Sequence, residues 1–315
     1  MKQLQISKDA TNIYKGLACL LIVAHHFCSW LMGKGYGNIL VDFIGVRGGV
    51  VGVTIFFFLS AWGLSESQNR NKYTFVTFVR RRLTKVYIPL VITNLLYIIF
   101  LVCVGKKTFD LSDLLLTTLN LEFCDGVLWF CNTILVFYLI FYFSYLPKTK
   151  WIKASLCLGL TLIYSITATW LWPESPFYVY SIIGFPFGMI CSLYKDKILR
   201  CNYWSVWSIS ALFLLIFGTM LLPEHKNLFL MNVFCYFLLV ILIAIIQRLE
   251  MPKSLTILPF VGTYSYEIYL LHNKVLVPVG NAGYILWYPL AFLLIVIPLA
   301  VVVKKAVNGV LKVLG

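Results

Sequence analysis

Charge is scarce in this chain. Of its 315 residues only 12% are Asp, Glu, Lys or Arg, whereas 61% are hydrophobic and the mean hydropathy is +0.88. A soluble domain has no use for so much apolar surface, so the composition excludes that class and predicts a chain that crosses a membrane several times. Acidic residues are scarcest, 12 against 26 Lys and Arg, for a net charge of +14. The basic residues sit in short loops between apolar runs, which is the orientation signal of membrane proteins, and no nucleic-acid partner is expected.

Paired cysteines are lacking too. The nine cysteines show no paired spacing, and Cys19, Cys28, Cys103, Cys157, Cys191 and Cys235 lie inside apolar runs. They read as small hydrophobes, not as a disulfide framework or a zinc site. There is no nucleotide-binding glycine loop, no HExxH and no serine nucleophile elbow, and no metal is expected. His25 and His26 are adjacent, so they do not share a helix face as i,i+4 metal ligands do. No internal repeat stands out, which argues against a transporter built on inverted repeats. Nor does a small-residue cleavage site end the first apolar run, which is expected to stay as a signal anchor.

What is present is a series of about ten apolar runs, near 13–32, 48–66, 86–104, 128–146, 153–171, 177–194, 205–222, 228–247, 262–279 and 285–303. Each is long enough to span a bilayer as a helix. The predicted fold is an all-α integral membrane protein forming a single domain over 1–315. The second run is expected to be short and kinked, and the sixth to break at Pro186. On alternate loops all but six of the 26 basic residues fall on one side; the six are Lys34, Arg47, Lys106, Lys107, Lys226 and Lys274. The positive-inside rule then puts both termini in the cytoplasm. The long outward segment from Gly105 to Val127 is expected to hold a small re-entrant or amphipathic piece.

Ionisable groups inside the runs are the candidate functional residues, because they are costly there. The first run, KGLACLLIVAHHF, carries Lys15, His25 and His26. At 100° and 1.5 Å per residue, His26 returns to nearly the face of Lys15 about 16 Å further along, while His25 points roughly 80–100° away. Lys15 and His26 are therefore expected to line one cavity; the structural alternative is that the histidines are interhelical hydrogen-bonding glue. In the ninth run, GTYSYEIYLLHNKVL, Ser265, Tyr269, His272 and the adjoining Asn273 form a polar stripe. Counted from the same membrane face, His272 and His26 reach similar depths.

The loop before the third run, FVRRRLTKVYIP, clusters Arg80, Arg81, Arg82 and Lys85. Guanidinium forks and a lysine suit phosphate groups; the alternative is a topology anchor touching anionic membrane lipids. In the second run, Gly48, Gly49 and Gly52 are expected to allow close helix packing, and Arg47 to snorkel. Trp129 reads as part of an aromatic belt, Asn132 as a possible ligand group, and Glu224 and His225 as solvated.

Together KGLACLLIVAHHF, IFFFLSAWGL, RRRLTKVYIP, LWFCNTILVFYLIF, IIGFPFGMICS and TYSYEIYLLH, in this order across nearly the whole chain, resemble the membrane-bound acyltransferase-3 family, which includes bacterial O-acetyltransferases of cell-surface glycans. The resemblance implies transfer of an acyl group, usually acetyl, from acyl-CoA to a sugar hydroxyl in the cytoplasmic membrane. It implies that His26, eleven positions after a basic residue, is the essential histidine and general base. Arg80, Arg81, Arg82 and Lys85 would hold the CoA phosphates, Lys15 would flank the pantetheine arm, and Tyr269 or His272 would orient the acceptor or steady the oxyanion. The chain departs from the family's usual pattern in having Lys15 for arginine, Arg82-Leu83-Thr84-Lys85 for RxxR, and Ser60-Ala61 for Ser-Gly. The two lysines keep charge but lose forked phosphate binding. A second class also fits mid-depth histidines and a polar core, namely a transporter or flippase of a glycan, a lipid-linked sugar or a small metabolite. A membrane anchor is a third, but it has no need of charge at mid-depth. Composition and motifs carry no signal for oligomeric state, the acceptor sugar or the length of the acyl group.

Overall fold

Backbone polar groups in hydrocarbon must bond to each other, and runs of Leu, Ile, Val and Phe achieve this by coiling into helices. The computed structural model describes residues 7–123, 125–198, 228–248 and 256–314, and among them there are helices and turns but no strand. The first helix, α1 (Lys8–Gly33), starts where the Ser7 hydroxyl accepts the Ala10 N–H at 3.0 Å, a normal N-cap. Then come α2 (Ile39–Asn71), α3 (Phe75–Cys103), the short α4 (Leu111–Thr118), α5 (Trp129–Tyr145) and α6 (Lys150–Leu171). Two short pieces, α7 (Phe177–Tyr180) and α8 (Gly184–Leu193), precede α9 (Leu228–Arg248), α10 (Ile257–Thr263), α11 (Ser265–Asn281) and α12 (Ile285–Lys312).

Six stretches are long and apolar enough to cross a membrane: α1, α2, α3, α5 with its lead-in from Gly126, α6 and α12. The chain is a membrane protein. The other expected runs differ for local reasons, and the run at 205–222 lies outside the described residues. The sixth breaks at Ser181–Ile183 and not at Pro186, which sits in the first turn of α8. A proline there has no helical hydrogen bond to lose. The ninth is longer than its apolar pattern, because α10 starts at Ile257 and the chain bends at Tyr264 before α11. The second is not short: α2 begins at Ile39 and takes an extra residue into a π-helical turn at Ile44–Gly48.

α1 is the organising element. It packs against α2, α10 and α11. At Gly262 and at Gly16 a Cβ would overlap the carbonyls of Asn12 and Leu258 respectively, so the α1 and α10 backbones touch at positions only glycine permits. Beside this pair, Phe57, Phe130, Phe137 and Phe185 from α2, α5 and α8 form an aromatic core, with Phe57–Phe137 and Phe137–Phe185 centroids 5.1 and 5.0 Å apart. The expected piece between Gly105 and Val127 is α4. It is held on α3 by the Tyr87 hydroxyl donating to the Leu119 carbonyl at 2.5 Å and by Asn94 donating to that of Thr117 at 3.1 Å.

Candidate active site

Two cavities enter the bundle from opposite ends. At the end where α1 and α3 begin, a cavity of about 390 Å³ is lined by four cations, Lys15, Arg82, Lys85 and Lys304, together with Ser60, Tyr138 and Glu267. Only Lys304 has a carboxylate partner among the described residues, Glu267 at 3.2 Å. The Arg82 guanidinium stands 5.6 and 6.0 Å from the ring centres of Phe78 and Tyr138, and its buried Nε meets no hydrogen-bond partner. A buried donor left in that state is costly, so an anion entering here would satisfy it.

At the other end a cavity of about 440 Å³ is lined by His25, His26, Arg47, Trp129, Phe177, Tyr180 and Tyr269, among others. Between the two lies a pinch of about 30 Å³, bounded by Ile22, Val53, Phe56, Phe130, Ser265, Tyr266 and Tyr269. The pinch shares Phe56, Phe130, Ser265 and Tyr266 with the basic cavity and Ile22, Val53 and Tyr269 with the histidine cavity. It has room for about one water molecule.

The expected single cavity for Lys15 and His26 is thus two. Both residues lie on the inner side of α1, but Ile22 from the same helix and aromatic side chains from α2 and α5 fill the interval between them. The expected meeting of His26 with the ninth-run stripe does occur. The rings of His26 and His272 are 5.2 Å apart, those of Tyr269 and His272 5.8 Å, and those of His25 and His26 4.7 Å.

Hydrogen bonding gives these groups different capacities. His272 Nδ1 lies 2.6 Å from the Tyr269 carbonyl. A carbonyl only accepts, so Nδ1 carries the proton and Nε2 presents a lone pair. That Nε2 is fully buried without a partner. In this tautomer His272 is an acceptor and has no proton to offer an oxyanion. The Tyr269 hydroxyl donates to the Val127 carbonyl, so its proton is also engaged. His25 Nδ1 is 3.3 Å from the Ile44 carbonyl, and its ring fills the space a Cβ on Gly49 would occupy. His25 therefore locks α1 to α2 through its Nδ1, and its ring lines the cavity beside that of His26.

Asn273 from the polar stripe and two residues that sequence reasoning gave no site role, Asp125 and Lys274, hold the cavity wall. The turn before α5 is tied to α11 by Asp125, which accepts from Asn273 Nδ2 at 2.5 Å and pairs with Lys274 Nζ at 3.7 Å, both ionic side chains being 3% exposed. Residues 126 and 127 of that turn line the histidine cavity. The spacing His272, Asn273, Lys274 could have flagged a polar cluster, but its partner is a loop aspartate that no periodicity marks.

Other sequence candidates fall elsewhere. Arg80 and Arg81 are exposed at the basic end but do not line the cavity, and Arg81 sits 4.7 Å over the Tyr73 ring. Asn132 is not a ligand group: it exchanges two hydrogen bonds of 3.1 Å with Asn120. Arg47 does not snorkel; it is 3% exposed and faces the histidine cavity, because the π-helical turn that contains it re-aims its side chains. Such turns are frequent at functional sites. Glu224 and His225 lie outside the described residues.

A family model described as an acyltransferase domain, acyltransferase-3, matches residues 9–304. No curated protein and no solved structure gives a match.

Proposed function

From the membership of this membrane protein in the acyltransferase-3 family, we propose that it moves an acyl group, in the first instance acetyl, from acyl-CoA to a hydroxyl of a cell-surface or lipid-linked glycan. The reading places the chain in the cytoplasmic membrane with ten spans and both termini in the cytoplasm, where the basic loops belong.

The observation that carries the reading is the division of labour between the cavities. Four cations, one with an unsatisfied buried guanidinium nitrogen, line one side of a narrow pinch, and His26 lines the other. Acetyl-CoA presents its phosphates to Arg82, Lys85, Lys15 and Lys304, with forked bonds from the arginine. Its pantetheine arm extends along α1 through the pinch and delivers the thioester beside His26. Along the helix the interval from Lys15 to His26 is about 16 Å. Phe56, Phe130 and Tyr266 turn aside to admit the arm.

His26 then acts as general base. It takes the proton from the acceptor hydroxyl as the oxygen attacks the thioester carbonyl. The tetrahedral intermediate collapses with cleavage of the carbon–sulfur bond, and the departing thiolate takes the proton back from His26. The products are the ester and free CoA. His272 acts on His26 and not on the substrate: its Nε2 lone pair, unpartnered in this structure, accepts an N–H once the neighbouring His26 ring turns towards it, which orients the other His26 nitrogen towards the hydroxyl. No step calls for a metal.

The test is transfer of radiolabelled acetyl from acetyl-CoA into the glycan fraction by membranes carrying the protein. Label in the glycan with release of free CoA, both lost in His26→Ala, supports the reading. A protein that leaves acetyl-CoA intact while moving a glycan or a small metabolite across the bilayer would be a transporter, and the reading would fall.

A further inference from the structure

A third cavity lies on the other face of α11, and it holds a charge that the transfer reaction does not use. Lys274 follows His272 by two residues, so it points about 160° away from it around the helix. There a cleft of about 290 Å³ runs between α3, α11 and α12, lined by Lys274 and by Leu96, Phe100, Leu271, Val275, Ile295 and Leu299, among others. Leu96, Phe100 and Ile295 are exposed on its rim, whereas Leu271 and Lys274 are buried at its floor. An apolar rim on membrane-crossing helices faces hydrocarbon, so the cleft opens sideways into the bilayer.

An ammonium carries three N–H donors. Lys274 Nζ pairs with Asp125 Oδ2 at 3.7 Å, beyond hydrogen-bond reach, and stands 5.6 Å from the centre of the Tyr97 ring. It meets no hydrogen-bond acceptor among the described residues, although its side chain is only 3% exposed. Donors left bare at such depth are costly. Charge and depth together narrow what would meet them. Asp125 already balances the charge, so the missing partner is a neutral acceptor and not a second anion. α11 ends at Asn281, about 10 Å beyond Lys274, and the exposed Tyr284 and Trp287 follow, an aromatic belt at the membrane interface. At the depth of Lys274 a lipid can offer an ester carbonyl, but its phosphate would have to be dragged into hydrocarbon. Hydrophobicity alone holds no particular chain here, because lipid tails are as apolar as the cleft. Retention therefore depends on the polar contact, which Lys274 supplies.

We infer that the cleft is a binding site for one diacyl membrane lipid: an acyl chain lies along Leu96, Val275 and Leu299, and its ester carbonyl accepts from Lys274 Nζ. The cleft volume is at the low end of small-ligand sites, which suits one chain with its ester and leaves the headgroup at the belt. The site stands apart from the acyltransferase reading and does not depend on it. It does adjoin the histidine cavity, since Asp125 also caps the turn at Val127 by accepting its N–H at 3.2 Å.

The experiment is native mass spectrometry of the purified, delipidated protein in detergent, titrated with dioleoyl phosphatidylcholine, dioleoyl phosphatidylglycerol and the diether analogue of the first, which has the same headgroup and chains but no ester carbonyl. The expected result is one diester lipid per protein with either headgroup, and a diether bound at least about tenfold more weakly, as loss of a hydrogen bond to a charged group predicts. Lys274→Met combined with Asp125→Asn removes the ammonium, leaves no lone charge and keeps an oxygen for the Val127 N–H; it should abolish the preference for ester over ether. Leu96→Trp fills the cleft from its rim, leaves the ammonium in place, and should lower diester binding several-fold. The unfolding temperature of each variant reports folding, and should rise on adding the diester lipid to wild type. If the double variant fails to fold, Leu96→Trp and the ester–ether comparison on wild type carry the test. Equal binding of diester and diether, binding that follows headgroup charge and not the ester, diester binding undiminished in folded variants, or a folded wild-type protein that retains no lipid would overturn the inference.

Discussion

The two cavities differ in how they treat charge, and in the proposed reaction that difference separates donor binding from chemistry. The basic cavity gathers four cations with a single carboxylate, Glu267, on its wall. Lysines on flexible stems suit a mobile polyanion that must enter and leave. The histidine cavity is mostly apolar and aromatic; its charge among the described residues is one arginine held by a π-helical turn, and of its two imidazoles that of His25 is fixed by a backbone carbonyl. Rigid, water-poor surroundings suit the reacting groups, whose effect depends on placement to within about an ångström. The pinch keeps the two environments apart, so in the proposed reaction the highly charged end of a donor need never approach the reacting atoms.

That comparison can be broken at its strongest point first. Replacing His26 by alanine removes the base from the histidine cavity and should lower acetyl transfer by about 100- to 10,000-fold, measured as label incorporated per mole of folded protein. Next is the wall. Asp125→Ala leaves Lys274 buried and unpaired, and should cost about 3–5 kcal/mol of stability, read as a lower unfolding temperature in detergent. Adding Lys274→Met to that variant should restore much of the loss, because no lone charge is then buried.

A smaller effect sharpens the role of His272. His272→Phe retains a ring but lacks the Nε2 lone pair, and should lower kcat roughly 10- to 100-fold through misorientation of His26, with KM for the donor unchanged. A larger change in donor KM than in kcat would place His272 in the binding of the donor instead. The smallest effect belongs to the basic surface outside the cavity. Arg81→Ala should change acetyl-CoA affinity by less than about threefold, since Arg81 is exposed outside the cavity and its guanidinium rests on the half-buried Tyr73 ring, a contact of about 0.5–1 kcal/mol.

Periodicity made much of this legible. It places His26 and His272 at similar depths, 246 residues apart in the chain (272 − 26), and the rings come within 5.2 Å. It also collects Arg82 and Lys85 on one face at the end where α1 begins, and both line the basic cavity. Where local chemistry overrides the pattern, the sequence is mute. The π-helical turn adds a residue to α2, so Arg47 faces inward where a regular helix end suggests snorkelling. The Asp125–Lys274 pair joins a loop to a helix across 149 positions, and a loop aspartate reads as solvated until its partner is known. Asn132 reads as a ligand group for the same reason, its partner Asn120 lying in irregular chain before α5. The single cavity expected for Lys15 and His26 is divided because side chains from other helices occupy the interval, which no face-counting on α1 alone can reveal.

The most direct test of separate donor and catalytic compartments is acetyl-CoA binding, by calorimetry, to the wild-type protein, His26→Ala and Arg82→Ala. The account predicts micromolar-range binding to wild type, about −8 kcal/mol, with His26→Ala equal to it and Arg82→Ala weakened at least tenfold, as loss of a charge-assisted contact of about 1.5–3 kcal/mol requires. Binding that is lost in His26→Ala but intact in Arg82→Ala would contradict the account, as would a folded wild-type protein that binds no acyl-CoA.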